Sequence, residues 1–122
     1  MMQFLKCEYL EGGRDFPLYD CYGIVIAVRA AMGLSPLPPY ESIRKGPGMH
    51  EAVTAEIPNY AQCEPRQGAI AVCWHGPLAR HIGIVVELDG VLRVLEINPR
   101  KNVTLSTLAV FERRFRRVEY FT

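Results

Sequence analysis

Three features of the chain predict an α+β fold. One long apolar segment, Tyr19 to Leu34, carries helix-start and helix-stop signals, three short β-branched runs follow it, and an Asp-Gly pair separates the last two runs. The segment YDCYGIVIAVRAAMGL reads as one buried helix. Asp20 is a good N-cap type, Gly33 falls where a helix-ending glycine belongs, and Pro36 prevents the helix from resuming. Only Arg29 interrupts the apolar run from Ile24 to Met32, so both sides of this helix are expected to pack against other elements.

Ahead of the helix, QFLKCEYL at 3–10 predicts a short strand or a turn of helix, and Gly12-Gly13 opens a loop leading to Asp20. Behind it, Pro36, Pro38, Pro39 and Pro47 predict a linker with at most a short helix near Tyr40 to Arg44. Residues 49–56 predict another short helix, and Ile57 to Glu64 a connector. Ala69–Trp74, His81–Glu87 and Val91–Ile97 predict strands of an antiparallel meander, with Asp89-Gly90 as a tight hairpin turn. Val103–Leu105 predicts a further short strand, Thr107–Arg114 a helical turn, and Arg117–Phe121 an edge strand.

Length and composition bound the function. A chain of 122 residues makes one domain, 1–122, with room for a real core. A net charge of +1 argues against a general polyanion binder, so no nucleic-acid partner is expected. No stretch is apolar enough for a membrane span, and the start carries no signal-peptide pattern, which predicts a chain that is cytoplasmic when made. The cysteines at 7, 21, 63 and 73 form no CxxC pair, and no histidine is spaced from them like a zinc ligand. Reduced thiols and no metal or cofactor are the expectation, although two disulfides are arithmetically open. The arginines at 113, 114, 116 and 117 read as a solvated face or a guard on the edge strand, against the alternative of an anion site.

Cys21 is the candidate nucleophile. It opens the helix where unsatisfied backbone N–H groups and the helix dipole favour an anion, and a thiolate is one, although a buried cysteine also simply fills space. Of His50, His75 and His81, only His81 leads directly into a strand that would aim its ring, as a general base requires. A third group is needed to orient that ring. Glu96, on the next strand of the hairpin, fits the role, with Asn98 two residues on as its rival.

These motifs together resemble the NlpC-type cysteine peptidases, papain-like enzymes that cut peptidoglycan stem peptides. DCYGIVIAVRAAMGL is similar to that family's nucleophile helix, and its continuation to LPPY resembles the phage-tail branch. EYLEGG at 8–13 resembles the family's Tyr-x-x-Gly-Gly segment, PRQGAIAVCW its Pro-x-x-Gly-Asp and strand, and HIGIVVELDG the strand carrying the general base. The likeness covers roughly 8–105. It departs at Ala69, where the family commonly has aspartate, at Glu96, which is usually histidine, asparagine or glutamine, and ahead of Tyr9, where a helix is cut short.

The resemblance implies a papain-like fold, with Cys21 as nucleophile, His81 as base and Glu96 as the orienting residue. It also implies Tyr9, Asp20 and Tyr22 on the substrate groove, with Asp20 either a helix cap alone or also a contact to a substrate amine. The implied reaction is hydrolysis of the D-glutamyl to diamino acid bond of a stem peptide, by an enzyme carried on a phage or prophage tail and acting at the cell wall. Two alternatives stand beside it: a structural or assembly component of the tail with the same fold and no turnover, and a related thiol acyltransferase or amidase.

Overall fold

The computed structural model describes residues 2–35, 37–38 and 47–122. The helix expected near Tyr40 to Arg44 lies outside the described residues. The chain is α+β. A 3-10 helix, Met2–Lys6, leads into a small sheet of three two-residue strands: β1 (Glu8–Tyr9), β2 (Arg14–Asp15) and β3 (Leu18–Tyr19). β3 lies between the others, parallel to β1 and antiparallel to β2. The segment read from sequence as a plain loop is therefore paired backbone, because strands of two residues are too short to show an alternating pattern.

Helix α1 runs Cys21–Ala31. Asp20 caps it, its side chain accepting from Gly23 N at 2.7 Å. Its end is a Schellman motif: Gly33 has φ +77°, Gly33 N donates to Ala30 O and Leu34 N to Arg29 O, each at 3.0 Å. The first turn is buried all round, whereas Ala30 and Ala31 are exposed, so the second half packs on one side only, unlike the expectation from the unbroken apolar run. Helix α2 (Pro47–Glu56) and a 3-10 turn, Ile57–Asn59, follow.

The main sheet has six strands in the order β4-β9-β5-β6-β7-β8, all paired antiparallel. They are β4 (Gln62–Cys63), β5 (Ile70–His75), β6 (Leu78–Leu88), β7 (Val91–Asn98), β8 (Asn102–Thr107) and, after helix α3 (Leu108–Glu112), β9 (Arg117–Phe121). β5 to β8 form the predicted meander. The β6–β7 turn is the Asp-Gly pair, with positive φ at both Asp89 and Gly90 as a type I′ turn requires. β9 is an edge strand only in part: it pairs with β5 along its length, and β4 covers its other side at Tyr120 and Phe121.

Alternation along the strands divides the core into two layers. Ile82, Ile84, Val86, Leu95 and Ile97 pack with Ile24, Val25 and Val28 of α1. Cys73, Val85 and Val94 point the other way and pack with Phe111 of α3 and Tyr120. α1 lies on β6 and β7, and α2 on β6.

Gly23 shows how tightly the small sheet is pressed on α1. A Cβ there would lie 2.1 Å from Gly13 O, a backbone atom that cannot move aside. Gly23→Ala is therefore expected to cost on the order of 3 kcal/mol in urea unfolding. Gly48→Ala, in α2 with open space around it, is expected to gain about half a kcal/mol.

Candidate active site

Cys21 is the first residue of α1 and is fully buried. Asp20 holds this helix start in place. Its Oδ1 accepts from Gly23 N and, at 2.6 Å, from the Arg14 guanidinium, while Oδ2 accepts from Gly12 N at 3.1 Å. The carboxylate thus ties the glycine loop, β2 and α1 together, and its cap role is joined by an ion pair with Arg14.

His81 and Glu96 meet where β6 and β7 part. The ladder between these strands stops at Ile84–Leu95, although β6 begins at Leu78 and β7 continues to Asn98. Below that point the strands are joined by side chains. Continued in register, the ladder would set Glu96 against Gly83 and Asn98 against His81. Gly83 has no side chain, and a Cβ there would lie 2.7 Å from Val94 Cγ1 and 3.6 Å from Glu96 Cβ. Across this bare position Glu96 reaches diagonally to His81, with Nε2 to Oε1 at 2.8 Å.

Glu96 is fully buried and ringed by donors. Besides His81, Asn98 Nδ2 donates to Oε1 at 2.9 Å, and Arg114 donates through NH1 to Oε2 and through NH2 to Oε1 at 3.2 Å. Burial pushes the Glu96 carboxyl up. The hydrogen bonds and positive charge of His81 and Arg114 outweigh burial and hold it down at about 2. An ionised carboxylate only accepts, so His81 carries its proton on Nε2, and in the neutral ring Nδ1 is the basic nitrogen. The other flank of the ring is stacked on Phe115, centroids 5.9 Å apart and planes 16° off parallel. Of the two candidates for orienting the ring, Glu96 bonds the imidazole, and Asn98 bonds Glu96.

Tyr9 connects the two halves of the site. Its backbone N–H donates to Asn102 Oδ1 at 2.9 Å, and Asn102 pairs with Asn98 at the β7–β8 turn. Burial first, and then the negative charges of Cys21, Glu11 and Asp20, push its hydroxyl up to about 12. Tyr9 therefore lies within electrostatic reach of Cys21 while its backbone is fastened to the strand end that holds Glu96.

Tyr22, expected on the groove, is only 1% exposed. It lines an apolar pocket with Leu37, Val53, Ile57, Tyr60 and Ile70, and the Arg14 guanidinium lies 5.4 Å from its ring centroid. Its neighbour in sequence is the candidate nucleophile, but Tyr22 itself supports the floor of the domain. His50 Nδ1 accepts from Ala79 N, two residues before His81 on β6, at 3.0 Å. No disulfide joins the cysteines. Among the described residues no three histidine, cysteine or acidic side chains gather as a metal would require, and no helix is long and apolar enough to cross a membrane.

Arg114 and Phe115 belong to the site, and sequence reasoning missed both. The run RRFRR was read as a solvated or edge-guarding face. Arg117 does lie over Trp74, 4.9 Å from the ring centroid, but Arg114 turns inward. The available signal was a glutamate in an apolar strand, which needs a cation when buried.

Neither a scan of protein-family models nor a search of curated proteins finds a match to this chain.

The depressed Glu96 carboxyl fixes the sign of one pH effect. Its folded value lies below the unfolded one, so the stability it contributes is complete above about 4.5 and is lost as pH falls towards about 2. Urea unfolding from pH 7 to pH 2 is expected to show up to about 3 kcal/mol more acid loss in the native protein than in Glu96→Gln.

Proposed function

We propose that this chain is a thiol hydrolase of the papain-like NlpC type, in which Cys21 is the nucleophile, His81 the base and Glu96 the orienting group. One observation carries the reading most directly. A histidine of β6 is bonded through Nε2 to a buried, ionised carboxylate, which leaves Nδ1 as the base. Burying such a pair is costly unless the geometry is good, and a structural imidazole does not need it.

The chemistry follows from these groups. His81 Nδ1 takes the thiol proton, and Cys21 Sγ attacks the amide carbonyl to form a carbon–sulfur bond. The oxyanion is met by backbone N–H groups at the start of α1, including that of Cys21. The imidazolium, stabilised by Glu96, gives its proton to the leaving amine as the carbon–nitrogen bond breaks. Water, deprotonated by His81, then releases the acyl group. The resemblance of EYLEGG, DCYGIVIAVRAAMGL and HIGIVVELDG to cell-wall peptidases supports a peptidoglycan stem peptide as substrate, cut between D-glutamate and the diamino acid, and a place on a phage or prophage tail. An acyl transfer would use the same groups with a different acceptor.

A second reading, an assembly component of a tail without turnover, is favoured by the burial of the two principal groups: Cys21 is 0% and His81 3% exposed.

Alkylation of each cysteine, followed by mass spectrometry across pH, is the first test. Cys21 is expected to react at a pH well below the ordinary thiol value of about 8.5, and to lose that reactivity in His81→Ala. Cleavage of a stem peptide is expected to fall at least a hundredfold in Cys21→Ala and in His81→Ala, each still folded by circular dichroism. A Cys21 that reacts like an ordinary thiol, with no cleavage by the native chain, supports the assembly reading instead.

A further inference from the structure

The segment just after α3 places two side chains on the His81–Glu96 pair. Arg114 bonds both oxygens of Glu96, and Phe115 covers the His81 ring. The guanidinium is itself held between aromatic rings, 5.6 Å from the Phe111 centroid and 5.2 Å from that of Phe115. Phe111 is fully buried in the second core layer, so the segment is anchored rather than draped over the sheet. Arg114 remains 43% exposed along its length while the carboxylate it grips is at 0%.

A buried carboxylate bonded only to an imidazole would strongly favour the imidazolium, and a base that holds its proton too tightly transfers it poorly. With Arg114 present, the carboxylate is neutralised before His81 is protonated, and both its oxygens are fixed in direction. Among the described residues, the titratable and charged groups near His81 include Glu96 on β7, Arg114 after α3, Cys73 opposite it on β5, His75 against the same Phe115 ring, Arg80, exposed beside it on β6, and His50 of α2, bonded to Ala79. On the α1 side are Cys21 and, within reach of its charge, Tyr9. Arg114 and Asn98 touch the carboxylate that His81 bonds, and of the two only Arg114 is charged.

We infer that Arg114 is a positioning residue of this site, aiming Glu96 at His81 and offsetting its charge so that the imidazole is neutral when it must accept the thiol proton. The inference rests on the proposed hydrolase reading for its consequence in catalysis, but its electrostatic part stands on the Arg114–Glu96–His81 geometry alone. The experiment follows His81 by NMR of its ring protons through a pH titration, beside stem-peptide cleavage, in the native chain, Arg114→Gln, Arg114→Lys and the Arg114→Gln/Glu96→Gln pair.

The His81 midpoint is expected to rise by about one pH unit in Arg114→Gln and to stay near the native value in Arg114→Lys, which keeps the charge. Adding Arg114→Gln to Glu96→Gln is expected to raise the midpoint by less than Arg114→Gln does in the native chain, because the part that acts by aiming Glu96 is gone; an equal rise overturns the aiming role. The cleavage profile should move up in pH with the midpoint in Arg114→Gln. In Arg114→Lys, which cannot bond both oxygens, kcat should drop about tenfold with little change in KM. A midpoint unmoved in folded Arg114→Gln overturns the inference. If Arg114→Gln does not fold, an Arg114→Lys variant with native kcat overturns it. A shifted midpoint in a chain that cleaves no stem peptide upholds the Arg114 assignment and removes the hydrolase reading.

Discussion

A carboxylate with no exposure to water sits at the joint of this domain, and the elements around it are placed so that it stays ionised. Glu96 takes donors from β6 through His81, from its own strand through Asn98, and from the turn after α3 through Arg114. Remove any one and the others must carry an incompletely compensated charge in the interior, where such defects commonly cost several kcal/mol. The same requirement accounts for the bare Gly83, the parting of β6 from β7 and the aromatic clamp of Phe111 and Phe115. A side chain at position 83 would fill the space through which the glutamate reaches its histidine.

A second buried anion organises the start of α1. Asp20, 3% exposed, gathers the Gly12 and Gly23 amides and the Arg14 guanidinium, and so presses the small sheet on the first turn of α1. The two anions hold different elements. Asp20 sets where Cys21 stands, and Glu96 sets which nitrogen of His81 is basic. Tyr9, ahead of α1, is bonded through its backbone to Asn102 at the end of the main sheet.

Local signals made much of this readable from the chain. The Asp20 cap, the Gly33 stop and the Asp89-Gly90 turn act through bonds within a few residues, so their residue types announce them, and the structure has each where expected. The pairing of His81 with Glu96 was also accessible, because a tight hairpin turn sets the register of both strands. Three features lacked such a signal. The two-residue strands β2 and β3 are too short for periodicity, Tyr22 has an apolar neighbourhood that only packing reveals, and β9 gains its second neighbour from a segment more than fifty residues away.

The sequence by itself determined the α+β class, the central helix with Cys21 at its first turn, the meander, and the nearness of His81 to Glu96, since each depends on short-range chemistry or on one hairpin. Tertiary structure alone decided that Asn98 bonds the carboxylate, that Tyr22 lies beneath the surface, and that the guanidinium of one arginine in a basic run bonds the buried Glu96. Those choices depend on where a buried charge finds its compensation. A cation eighteen residues away in the chain becomes the partner only after α3 has brought it back to the sheet.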